Sequence, residues 1–309
     1  MGSNPPPFHP ESQGYREPGY SPEILPPEGA APPQTRSRRG WWAAAPATYL
    51  LIGINVAVFV LMTLRGVSPF NPDPEQLLRY WGANHAGYVL LDGQWWRLFS
   101  AMFVHVGIVH LGMNMWCLWN LGLLAEPLMG SFGVIAVYVL TGTAGNMLST
   151  LNNWSAAAPD LADLTARYHV SLLSIPADQL VGYFPPGVGA SGAVFGIAGA
   201  LIVLLKSSRL PVPVDELKKL RRSVIIFAAI NLVIPIAVNY GADALHAGLK
   251  IDYMAHIGGC ACGLLFAAPM VPRIGSPRNV FSMRLRVAIG IVAGVLVLFA
   301  FFLAQLPRG

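Results

Sequence analysis

Seven apolar stretches, roughly 45–64, 98–125, 132–151, 189–205, 223–240, 253–271 and 287–306, constrain this chain more than any other feature. A helix crosses a hydrocarbon core of about 30 Å in about 20 residues, so each stretch spans a bilayer or nearly does. The composition leaves no other solution. Hydrophobic residues make up 54% of the chain and charged residues 11%, where an ordinary soluble domain carries about 25% charged residues. A soluble enzyme, a disordered chain, a coiled coil and a disulfide scaffold are all excluded. The expected fold class is all-α, a polytopic membrane protein.

Residues 1–40 differ from the rest. Ten of these 40 are proline and few are large and apolar, so the segment cannot bury enough surface to offset its chain entropy and is expected to be disordered. It lacks the apolar core of a signal peptide. It ends in Arg36, Arg38 and Arg39 beside Trp41 and Trp42, a basic flank followed by an interfacial aromatic belt. With the N-terminus cytoplasmic, this tail and the loops 206–222 and 272–286 lie inside and hold 14 of the 20 Lys+Arg. Seven spans then put the C-terminus outside. The positive-inside distribution accounts for the net charge of +5 without nucleic acid. The expected organisation is a cytoplasmic tail (1–40), a six-span core (41–271), and a cytoplasmic loop with a seventh helix (272–309).

Ionisable and strongly polar side chains are costly in lipid, so each one there is a candidate functional residue. The second stretch contains His105, His110 and Asn114, the fourth opens with Gly189-Ala190-Ser191-Gly192, and the sixth carries His256 near its start. Taken singly, each has a plain structural reading: a hydrogen-bonded core histidine, a helix serine, a packing glycine. Depth makes the set more specific. Spans two, four and six run from outside to inside, with Ser191 at the outer end of span four, His256 a few residues into span six, and His110 and Asn114 about three turns into span two. The pairs Gly192/Gly196 and Gly259/Gly263 are small residues four apart, which let helix backbones approach closely.

Trp96-Arg97, His105-x4-His110-x3-Asn114, Gly189-x-Ser191-Gly192 and Ala255-His256-x2-Gly259-x3-Gly263 together resemble the motif set of the rhomboid intramembrane serine proteases. The resemblance covers about residues 45–271. It implies a six-helix rhomboid-like core, here with one additional C-terminal transmembrane helix, and a Ser–His dyad that cleaves transmembrane proteins within the membrane lipid. Carried over by position, Ser191 is the nucleophile and His256 the general base. His110, Asn114 and the Ser191 backbone N–H form the oxyanion site, with Gly189 as the loop glycine beside it. No cofactor or metal is implied. Phe195 stands where many members have a tyrosine against the catalytic histidine, which keeps the ring and loses the hydroxyl. The loop 152–188 is long and unassigned.

The chemistry asks for these residue types. A serine hydroxyl is a weak nucleophile until an adjacent base takes its proton, and a histidine does so near neutral pH. Hydrolysis of a peptide builds an oxyanion that preorganised donors stabilise. Asp252, four residues before His256, reads as a solvated helix-start residue rather than an orienter of the imidazole. Trp96 and Arg97 read either as part of the family's outer-leaflet loop or as an interfacial anchor with the arginine snorkelling to headgroups. His105 reads as a structural residue of the outer loop. His85, His169 and His246 are expected to face water. Cys260 and Cys262 point to different helix faces and form no metal pair, and Pro235 is compatible with a mobile fifth span. Three rivals remain: a proteolytically inactive rhomboid-like protein that binds membrane clients, a haem or metal protein built on the histidines, and a transporter. The metal reading leaves Ser191 and Asn114 unexplained, and the transporter reading lacks an internal repeat.

Overall fold

A computed structural model describes Gly2 and residues 45–244 and 251–306. Apart from Gly2, the expected disordered tail (1–40) lies outside the described residues, as do His246 and the Pro235 side chain. The described residues form nine α-helices in order: α1 (Pro46–Leu64), α2 (Pro74–Trp81), α3 (Ala86–Leu90), α4 (Arg97–Ser100), α5 (Ile108–Tyr168), α6 (Ser191–Leu204), α7 (Val214–Ala244), α8 (Tyr253–Ala267) and α9 (Arg278–Leu303). The chain is an all-α polytopic membrane protein. Helices α1, α5 and α9 are long and apolar enough to cross a membrane, and α6 and α8 are shorter apolar helices.

Helix α5 is two helices joined at Gly130, where φ is +70°. A glycine adopts that angle without the steric cost that a Cβ brings. The arms 108–129 and 131–168 correspond to the second and third apolar stretches. The second arm explains part of the unassigned loop. It continues as helix to Tyr168, on the order of 57 Å at 1.5 Å per residue, where a hydrocarbon core takes about 30 Å. Its last turns therefore stand clear of the membrane. Short 3₁₀ turns, Leu172–Ser174 and Ala177–Tyr183, complete the connection to α6.

The second apolar stretch starts its membrane helix later than its hydropathy suggests. Residues 98–107 are α4, a 3₁₀ turn (Ala101–Phe103) and a short loop. Gly107, with φ +91°, turns the chain into α5, and the Ile108 N–H donates to the Pro69 carbonyl at 2.7 Å. His105 thus precedes the helix, and His110 and Asn114 lie in its first two turns rather than three turns down.

Helix α6 packs on both α8 and α5, α1 packs on α5, and α9 lies against α5 and α8. Between α6 and α8 the backbones touch. A Cβ on Gly259 would strike the Gly192 carbonyl, and one on Gly263 the Gly196 carbonyl. The two small-residue pairs read from the sequence therefore meet each other across one interface. Near the other end of the first α5 arm, the buried Glu126 carboxylate accepts from the Ala47 and Thr48 N–H groups, both at 2.9 Å, and from the Thr48 hydroxyl at 2.8 Å. A carboxylate at a helix N-terminus satisfies orphan donors and opposes the positive helix end. Glu126 thereby pins the start of α1 to α5.

Candidate active site

Ser191 is the first residue of α6, and Ala190 is its N-cap. The helix has 14 residues, about 21 Å of rise, which falls short of a hydrocarbon core of about 30 Å. If its far end reaches one membrane face, Ser191 sits several ångströms beneath the other. Non-helical backbone at such depth must be buried in protein or line a cavity, and Gly187, Gly189 and Ala190 meet that condition by pairing with neighbouring segments. Gly187 and Asn84 exchange backbone hydrogen bonds at 2.8 and 2.9 Å, and the Gly189 N–H donates to the Ala101 carbonyl at 2.9 Å. Ala190 N–H donates to His105 Nε2 at 3.4 Å. With Nε2 accepting, the other ring nitrogen carries the proton, and Nδ1 faces the Phe103 carbonyl at 3.4 Å. His105 is the structural residue expected: it ties the head of α6 to the turn before α5.

Gly189 has φ +112°, and a Cβ there would lie 2.6 Å from His110 Cε1 and 2.9 Å from its Nε2. Conformation and space both require glycine, and the consequence is that the loop backbone rests against the His110 ring. Asn114 Nδ2 is 3.7 Å from the same point. Asn114 donates one amide hydrogen to the His110 carbonyl at 3.0 Å. An asparagine amide has two, so one remains. The rings of His105 and His110 lie 5.3 Å apart.

His256 comes from the first turn of α8 and is buried. Its ring stacks on Phe195, with centroids 4.4 Å apart and planes 9° from parallel. Phe195 is one turn after Ser191 on the same helix face, so the imidazole lies over the start of α6. His256 Nδ1 is buried and makes no hydrogen bond of good geometry among the described residues. The Asn231 backbone lies within reach of the ring, and no carboxylate among the described residues orients it. Asp252 is the N-cap of α8: its Oδ1 accepts from the Ala255 N–H at 3.0 Å, and its Oδ2 accepts from the Ser149 hydroxyl. It is a helix-start residue, as expected, though partly buried rather than solvated. Five residues read from the sequence, Ser191, His256, His110, Asn114 and Gly189, thus converge at one end of the bundle around the head of α6.

One of two open readings is excluded and one expectation is corrected. Arg97 does not snorkel. It is 4% exposed, and its guanidinium donates to the Leu78 and Ala83 carbonyls at 2.7 and 2.9 Å and to Gln94 Oε1 at 2.7 Å. It also lies over the Tyr88 ring at 4.4 Å. It is the internal post of the segment between α1 and α5, while Trp96 beside it is half exposed. His85 does not face water either. It caps α3, accepting from the Tyr88 N–H at 3.3 Å, and its ring meets Phe184 edge-on at 5.3 Å. Burial pushes its pKa down to about 4, so the ring stays neutral and keeps the lone pair that the cap needs. His169 is exposed, as expected.

Sequence reasoning missed the polar frame behind the site. The Asn84 amide donates to the Asn146 carbonyl at 3.2 Å and to the Thr150 hydroxyl at 3.1 Å. It fixes the 187–190 loop to α5, as Ser149 fixes the start of α8. The available signal was the run of polar residues, Asn146, Ser149 and Thr150, at helical spacing in an otherwise apolar stretch.

Comparison with known proteins gives the family. A sequence model of the Rhomboid domain matches residues 92–273. The chain is 27% identical to the rhomboid protease GluP of Bacillus subtilis over 80% of this chain and 38% of that protein. It is 30% identical to the rhomboid protease AarA of Providencia stuartii over 71% of this chain and 70% of that protein. It is 29% identical to the mitochondrial Rhomboid protein 1 of Saccharomyces cerevisiae over 71% of this chain and 51% of that protein. With a family model matching more than half of its length and the candidate residues gathered at one end of a helical membrane bundle, the chain belongs to the rhomboid family.

Proposed function

We propose that the protein is an intramembrane serine endopeptidase, hydrolysing peptide bonds in or near the transmembrane segments of membrane proteins with a Ser191–His256 dyad. The observation that carries this reading is the Phe195 stack, which holds the His256 imidazole over the first turn of α6, where Ser191 begins the helix. In the first step the Ser191 oxygen bonds to the substrate carbonyl carbon and its proton passes to His256. The carbonyl π electrons move to oxygen, and His110, the free Asn114 N–H and the helix-start N–H groups face that charge. As the C–N bond breaks, His256 returns the proton to the leaving amine. Water then repeats the sequence on the ester and frees Ser191. The stack takes over the orienting task that a carboxylate performs in a triad. The residues 41–271 form the protease core, and the helix within 272–309 is an addition to it.

A fluorophosphonate probe tests the nucleophile directly. Wild-type protein in detergent is expected to be labelled at Ser191, and His256→Ala is expected to lose the label. An unlabelled wild type favours the inactive, client-binding kind of rhomboid-like protein. The charge distribution further supports a multi-pass cell-membrane protein with a cytoplasmic N-terminus and an extracytoplasmic C-terminus. In a bacterial host a C-terminal alkaline phosphatase fusion should be active and a GFP fusion dark. The reverse pattern would remove one span, α9 being the first to question.

A further inference from the structure

The end of the bundle that carries Ser191 and His256 also carries a trough. Its larger part is a cavity of about 440 Å³ whose lining includes Asn152, Asp160, Tyr183, Asn239, Asp252 and Tyr253. A second cavity of about 320 Å³ shares Asp160 and Tyr183 with it. Three placements tie this trough to the dyad. One wall is the part of α5 that the length of its second arm carries out of the membrane. Another is Pro185 and Pro186, which lead through Gly187 to Gly189. The floor is 251–254, one helical turn before His256. A substrate strand leaving the dyad away from the lipid meets this trough next.

The lining is mixed: Ala156, Pro186 and Ile251 offer apolar contact, and amides and phenols offer hydrogen bonds to an extended chain. Its charged members are both acidic: Asp160 and Asp252. Asp252 is already engaged by the Ser149 hydroxyl and the Ala255 N–H. In the adjoining cavity, Arg167 is paired with Asp163 at 2.9 Å. Asp160 is exposed and has no hydrogen-bond or ion-pair partner among the described residues, and it lies where the two cavities join.

We propose, resting on the protease reading, that this trough binds the extramembranous flank of the substrate and that Asp160 selects a lysine or arginine in that flank. The selected cation is expected among the first residues of the flank that leave the dyad away from the lipid.

Two single-span substrates test this in liposomes, one with lysine and one with glutamate at those flanking positions, otherwise identical. Wild type is expected to show a KM about three- to five-fold lower for the lysine substrate, the scale of an exposed ion pair. The difference should shrink in high salt. Asp160→Lys is expected to invert the preference, and the isosteric Asp160→Asn to abolish it. Cleavage of both substrates with the same KM overturns the trough while leaving the protease reading intact. A preference that persists unchanged in Asp160→Lys does the same. Failure of wild type to cleave either substrate overturns the protease reading, and this inference with it.

Discussion

Ser191→Ala and His256→Ala are each expected to lower cleavage of a single-span substrate by at least about 10⁴-fold, the scale on which removal of a nucleophile or its base is felt in serine hydrolases. Ser191 is a half-buried helix-start residue whose side chain does not cap the helix, so alanine there costs the fold little. His256→Ala opens space beside Phe195 and should lower thermal stability as well. The discriminating measurement is the double variant. Residues that act as a unit lose their contribution once, so the double should be little worse than either single. Independent roles would multiply the losses. Substantial cleavage by either single variant, with the melting transition intact, would remove that residue from the dyad.

How far the sequence reached differs between the membrane and its edge. Apolar length alone located the helices, because lipid forces every backbone group into helical pairing. The candidate site residues stood out in the same way, because histidine, asparagine and serine are conspicuous among leucines. The hinge in α5 showed as the gap between two stretches, with Gly130 inside it. What stayed hidden lies between α1 and α5. Residues 98–107 are apolar enough to read as membrane helix, yet they fold as α4 and a turn because Gly107 takes a positive φ and Ile108 pairs with Pro69. Arg97 and His85 looked like surface residues because their partners are chiefly backbone: the Leu78 and Ala83 carbonyls and the Tyr88 N–H. A backbone carbonyl leaves no mark in composition, so a buried cation that it satisfies cannot be told from an exposed one. The long α5 extension was hidden for another reason. Its surface polarity beyond Asn152 resembles a loop, and only the continued backbone pairing makes it a helix.

The same contrast between a residue that acts on charge and one that holds structure governs the three polar residues around Gly189. Asn114→Ala is expected to lower kcat by about 10²–10³-fold, the cost of losing one oxyanion donor, with little change in KM, because that contact strengthens as the negative charge develops. Its fold should survive, since the amide's observed bond is to the carbonyl of His110 within its own helix. His110→Ala should act in the same direction but lose stability too. Its ring fills the space against Gly189, and truncation leaves a hole at the loop that positions Ser191. His105→Ala should show the reverse balance. Its Nε2 accepts from the Ala190 N–H, so its loss frees the head of α6, and activity should fall only as the melting temperature falls. If all three were packing residues, activity would track melting temperature across the whole series. Asn114 is the variant that separates the two accounts: turnover lost at unchanged melting temperature places it on the oxyanion, and unchanged turnover takes it out of the site.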